Sequence, residues 1–259
     1  MTPITPRNLL AIETATEACS AALWMEGRIH VRFQEAPRAH ARLILPMMEA
    51  VLAEGGIALG QLDALAFGRG PGAFTGVRVA TGVIQGVAFG ADLPVVPIST
   101  LAALAQQRLD AGSSQVLAAL DARMGEVYWG AFEADEGGLA VPVGNESVCP
   151  PLAVPEPPDG AWEPIGRGWF ACQEALAQRL DRRADAPWDD RLPSAAEVVR
   201  LAARGLARGE GVPAEQALPV YLRDKVANKP RQVTSTGSAG ASQDTQSCQD
   251  TQSCQDTQS

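Results

Sequence analysis

The sequence holds few of the residues that do metal, thiol or triad chemistry. It has two histidines, His30 and His40, and five scattered cysteines with no CxxC pair: Cys19, Cys149, Cys172, Cys248 and Cys254. A zinc or iron site takes three or four protein ligands, so no metal is expected. An odd, widely spaced cysteine set reads as reduced thiols, which suits the cytoplasm. No GxSxG elbow occurs, and two histidines leave little for a Ser/His/Asp triad. Aromatic residues make up 5% of the chain, so Ala, Val, Leu and Gly must fill most of the core. Basic excess is missing as well. The formal net charge is -9, whereas phosphate backbones are gripped by basic surfaces. Tight binding of a nucleic acid by the chain alone is therefore not expected. No start resembling a secretion signal is seen, and no run nears the roughly 20 apolar residues of a membrane helix.

What is present is an α/β pattern in 259 residues, 46% of them apolar. Residues 8–35 read as a strand meander. Residues 41–54 read as a helix, with Ile44, Met47, Met48, Val51 and Leu52 at three- and four-residue spacing. Leu62 to Phe67 is a buried-type strand that runs into the glycine-rich turn at 68–76. A helix over about 76–90 and a strand at 95–98 follow. Ser99 is a good N-cap for the next helix. Residues 116–121 and 126–132 form a hairpin about Ala122-Arg123-Met124-Gly125. Residues 141–164 hold seven prolines and read as loop. Helices are expected near 170–181 and 195–208, the second opened by a capping box in which Ser194 and Glu197 satisfy each other's amides. Pro219 to Arg223 is a last short apolar stretch. After Arg231, Gln-Asp-Thr-Gln-Ser recurs at 243–247, 249–253 and 255–259. So polar a tail cannot offset its ordering entropy and is expected to be disordered and dispensable.

The glycine-rich turn is the sharpest feature. Backbone amides ahead of a helix can hold a phosphate, which makes Gly70, Gly72, Thr75 and Arg78 candidate nucleotide contacts. Yet the Walker spacing fails, because Val77-Arg78 stands where Lys-Ser/Thr is needed, and Thr75 replaces the third Gly of GxGxxG. A tight strand-to-helix turn is the stronger reading. Glu13, Asp121 and Glu126 sit at strand or turn ends, where acids are common anyway. His40 has no partner one turn on, since Ile44 stands there; it reads as a cap or surface group. The helices at 41–54 and 76–90 show apolar or small residues on more than one side, beyond what one core-facing stripe needs. Ile44, Met47, Met48, Val51, Val79, Gly82, Val83 and Gly86 are the candidate interface residues.

Several of these pieces share one resemblance. Gly70-Pro-Gly-Ala-Phe-Thr-Gly-Val-Arg78 resembles the GPGSFTGLR signature of the TsaB/YeaZ family. Leu10 to Thr16 is similar to that family's opening strand and turn. His40 to Pro46 is similar to its first-helix entry, with Ala41 for the usual Ser. Asp121-Ala-Arg123 with Glu126-Val-Tyr128 resembles its DARxxEVY hairpin, and Pro219 to Arg223 its closing PxYLR. These pieces stand in order over residues 9–225. The resemblance implies an ASKHA fold, the two-lobed α/β architecture of actin and sugar kinases, with lobes at 1–110 and 111–231 and the second smaller. It implies a non-catalytic role beside the catalytic subunit TsaD and the ATPase TsaE in forming threonylcarbamoyladenosine next to the tRNA anticodon. The first two helices would bind TsaD, or a second copy when the chain is alone. No intrinsic cofactor is implied, and contact with ATP or ADP is expected only inside the complex. The competing expectation is an ASKHA enzyme in its own right, a phosphotransferase or a glycoprotease-like peptidase.

Overall fold

In the computed structural model, residues 7–181 and 189–223 are described. The chain begins with Asn8–Glu13 (β1), Ala18–Met25 (β2) and Arg28–Glu35 (β3), followed by the helix His40–Gly55 (α1). Ala64–Gly68 (β4), Phe74–Ala91 (α2), Val95–Ile98 (β5) and Thr100–Asp110 (α3) come next. These strands form one sheet in the order β3-β2-β1-β4-β5. The β1–β2 and β2–β3 pairs are antiparallel, whereas β1–β4 and β4–β5 are parallel. A second sheet holds Gln115–Arg123 (β6), Glu126–Ala134 (β7), Ala140–Pro142 (β8), Ser147–Cys149 (β9) and Trp162–Ile165 (β10). Its order is β10-β6-β7-β8, with β9 also on β7. Two mixed sheets flanked by helices are the α/β class expected from the sequence.

Strand alternation builds the layers, because successive side chains point to opposite faces. Leu10 and Ile12 of β1 face one way and pack with Ile44, Met48 and Val51 of α1 and Ala80 and Ile84 of α2. Leu9 and Ala11 face the other way. They join Leu101 and Leu104 of α3, and Val198, Val199 and Ala202 of the helix Ala195–Ala207 (α6). Val116, Ala118 and Leu120 of β6 close that same core from the second sheet. Leu117 and Ala119, one residue out of phase, pack with Trp129, Trp162 and Trp169 on the far side. Helix α6 packs on β1, β2, β4 and β5, so the later part of the chain returns to the first sheet. The described residues make one compact unit. Among the described residues no helix is long and apolar enough to cross a membrane.

The structure corrects several local expectations. The proline-rich stretch carries β8, β9 and β10 rather than loop alone. The helix expected near 170–181 is two short ones, Arg167–Ala171 (α4) and Gln173–Arg179 (α5), broken where Cys172 leaves helical geometry at φ -133° and ψ 30°. Ser194 Oγ caps α6 by accepting from Ala196 N at 3.2 Å, so the reciprocal bond to the Glu197 amide is not formed. Ser99 caps α3 as expected, with Oγ accepting from Ala102 N at 3.2 Å. The polar repeats after Arg231 lie outside the described residues.

Candidate functional site

The glycine-rich turn is pressed against its own chain. A methyl group at Gly72 would overlap the Ala15 carbonyl, and one at Gly76 the Thr14 carbonyl. Ala73 N donates to Ala15 O at 2.7 Å, and Thr14 Oγ1 donates to Gly76 O at 2.7 Å. Gly70 has φ +95°, a left-handed conformation that favours glycine, and a Cβ there would lie 3.0 Å from Val220 O. Glycine at these positions lets the turn from β4 into α2 dock on the β1–β2 turn. An extended strap, residues 218–223, crosses the turn from outside. Val220 N donates to Arg69 O at 2.8 Å. Arg78 does not point at a phosphate-binding space. Its guanidinium lies 3.6 Å from the Phe74 ring centroid, and Nε donates to Tyr221 Oη at 3.0 Å. Thr75 is exposed. Nothing in the pattern of the sequence marked the strap as the cover of this turn.

The three acids at strand ends are not brought together for chemistry. Glu13 is fully buried. Its Oε1 accepts from Ala15 N at 2.6 Å, and its Oε2 accepts from Thr100 Oγ1 at 3.1 Å. Burial raises its carboxyl to about 7, against the lowering effect of those hydrogen bonds. It ties β1 to α3. Asp121 is spent on Arg123, whose backbone amide it accepts at 2.7 Å. Arg123 also reaches Glu17 at 3.1 Å, joining the β6–β7 hairpin to the β1–β2 turn. Glu126 pairs with Arg223 of the strap. His40 is neither a cap nor a surface group: it is 9% exposed, and its Nε2 donates to Ala18 O at 3.2 Å. Among the described residues no group of three or more His, Cys, Asp or Glu could hold a metal ion.

The outer side of α1 and α2 offers a different kind of site. Helix α2 runs 18 residues and carries a single charge, Arg78. Its inner face buries Val77, Ala80, Thr81, Ile84 and Ala88. Its outer face leaves Gly82 and Gly86 in open space, where a Cβ would meet nothing within 4 Å. Val79 and Val83 are half-buried beside them, and Phe89 is 84% exposed. On α1, Met47 is half-buried, and Leu45 is 46% exposed. Three residues expected at the interface are not available to a partner. Ile44, Met48 and Val51 are buried in this chain's own core, because the i, i+4, i+7 stripe faces the sheet. Leu45, Phe74 and Phe89 are the exposed apolar residues that replace them on this side. Phe89 was legible as an apolar residue of the second helix, but its direction was not.

Three relatives match the chain over most of its length. A protein named tRNA threonylcarbamoyladenosine biosynthesis protein TsaB, from Escherichia coli K12, is 43% identical over 229 residues, covering 86% of this chain and 97% of that protein. The protein of the same name from Haemophilus influenzae is 41% identical, covering 85% of this chain and 94% of its own length. The solved structure of YeaZ from Pseudomonas aeruginosa superposes with a TM-score of 0.77 at 48% identity, covering 83% of this chain and all of that one. Residues 31–149 also match the model of the TsaD family, described as tRNA N6-adenosine threonylcarbamoyltransferase.

Proposed function

The chain belongs to the TsaB family of tRNA threonylcarbamoyladenosine biosynthesis proteins, and from that premise we propose that it serves this modification without chemistry of its own. It acts as a cytoplasmic binding subunit, presenting the outer side of α1 and α2 to a TsaD-type catalytic subunit and working with the ATPase TsaE. Without TsaD, the same side pairs with a second copy. The observation that carries this reading is the uncharged outer face of α2 around Gly82 and Gly86. An exposed apolar strip is unfavourable in water and marks an interaction site, and glycines admit a close neighbour. The acids in the turns support the same reading, since Glu13, Asp121 and Glu126 are each held by this chain's own groups. The chain needs no cofactor of its own; ATP or ADP would touch it only inside the complex.

The test is Gly82→Leu. The side chain enters open space, so folding survives. A helix docked there is pushed away at a cost of about 1–3 kcal/mol, a loss in TsaD affinity of roughly five- to 150-fold. A folded variant that binds TsaD normally overturns the interface. Hydrolysis of ATP by the purified chain alone would overturn the non-catalytic role.

A further inference from the structure

A cavity of about 500 Å³ lies away from the α1/α2 side, at the carboxyl ends of the parallel strands β4 and β5. That is where open α/β sheets take ligands, and the volume falls in the range of small-molecule pockets. Ile98, Ala102, Phe132, Leu201, Val220 and Leu222 give it apolar walls. Its charged lining groups are of both signs, Arg69 and Arg204 against Glu146 and Glu210. Arg69 has its backbone pinned on both sides, with N donating to Ile98 O at 2.8 Å and O accepting from Val220 N at 2.8 Å. Its guanidinium makes no hydrogen bond among the described residues and lies within electrostatic reach of Glu146. Glu146 is held through Oε1 by Ser99 Oγ, the cap of α3, and Oε2 has no hydrogen bond among the described residues. Burial raises the Glu146 carboxyl above its ordinary range, against the lowering effects of the Ser99 hydrogen bond and the Arg69 charge. Arg204 is already committed to Asp135 and to Ala140 O, so it is wall rather than anchor.

A guanidinium with no hydrogen bond among the described residues, the Glu146 carboxylate with one oxygen to spare, and apolar walls around them define complementary chemistry. We propose that this cavity binds a small apolar zwitterion of the amino-acid or dipeptide class, its carboxylate on Arg69 and its ammonium on Glu146. The strap that closes the glycine-rich turn then also supplies one wall of the ligand site, through Val220 and Leu222.

The full chain, labelled with ¹⁵N, is titrated with L-leucyl-L-leucine, with N-acetyl-leucyl-leucine, which has no ammonium, and with leucyl-leucinamide, which has no carboxylate. The expected result is saturable shifts at the amides of Ala102, Gly144 and Asn145 with the dipeptide. Each blocked compound binds roughly tenfold or more weakly, the value of a charge-assisted hydrogen bond. Arg69→Gln weakens the dipeptide by a similar factor but leaves leucyl-leucinamide unchanged, and Glu146→Gln leaves the acetylated compound unchanged. Glutamine at 146 can still accept from Ser99, so folding is retained. The proposal is overturned by an absence of saturable shifts, by shifts elsewhere on the chain, or by equal binding of all three compounds. That comparison is made on the native protein and stands even if a variant fails to fold.

Discussion

Two glycines six residues apart on α2 should respond to alanine with opposite signs. At Gly76 an added Cβ falls closer than 3.0 Å to the Thr14 carbonyl oxygen, and the obstacle is backbone rather than the end of a flexible side chain. Relief requires the β1–β2 turn and α2 to separate, which strains the Thr14 Oγ1 bond to Gly76 O as well. Overpacking of this kind costs about 1–3 kcal/mol, and the rigid obstacle puts Gly76→Ala at the upper end, about 3 kcal/mol. A chain of this size loses roughly 2–4 °C of melting temperature per kcal/mol, so a fall of roughly 6–12 °C is expected. At Gly82 nothing lies within 4 Å. Alanine there removes glycine's backbone entropy cost in a helix, about 0.5–1 kcal/mol, and melting should rise by roughly 1–4 °C. Both variants are compared by calorimetry and by urea unfolding. A Gly76→Ala variant melting within 1 °C of the parent (the resolution of the assay), or equal shifts for the two, would refute the assignment of inner and outer faces.

Glu13 and Glu197 both have carboxyls raised to about 7 by burial. A raised folded-state value means the folded protein prefers the proton. The stability this gives is fully present below the unfolded value of 4.5 and is lost as pH rises through about 7. For Glu13 the loss is roughly 3 kcal/mol, so Glu13→Gln should flatten much of the fall in urea midpoint between pH 4.5 and 7; an unchanged slope would contradict the burial argument. Ser99→Ala removes the Ala102 cap and the Glu146 hydrogen bond; it should cost about 1–2 kcal/mol, and a melting temperature equal to the parent would count against that role. Tyr221→Ala removes the partner of Arg78 Nε; limited proteolysis should then cut residues 218–223 faster, and unchanged cutting would show the strap is held elsewhere.

Much of the first sheet was legible because its elements carry their own periodicity. The stripe Ile44, Met48 and Val51 announced a helix, and all three are buried against β1 and β2. Periodicity could not say which of two apolar sides faces the chain's own core, so the same three residues were also assigned to a partner. Residues 140–149 show why the second sheet was harder. Strands β8 and β9 are three residues each, too short for alternation to register. They exist because β7 offers an edge on which Phe132–Ala134 pairs with β8 and Val127–Trp129 pairs with β9. That information lies in the partner strand, not in the local residues. Glu13 was readable as an acid at a strand end. That it is sealed beneath Gly68 and Thr100 follows only from the meeting of β1, β4 and α3.

Gly72, Gly76, Gly82, Gly86 and Gly90 form one small-residue series in the sequence, and the fold divides it in two. The first two are required by the chain itself, since the carbonyls of residues 14 and 15 occupy the space a side chain would need. The last three meet nothing. Each costs the isolated helix up to about 1 kcal/mol relative to alanine, and the lone chain gains no packing in return. A neighbour that approaches the α2 backbone closely would offset that cost, and alanine would hinder it. Gly82→Ala should therefore separate two quantities that usually move together: higher melting temperature of the chain alone, and weaker binding to TsaD measured by calorimetry. If melting and affinity both rise, the outer face of α2 is ordinary solvated helix and the partner binds elsewhere.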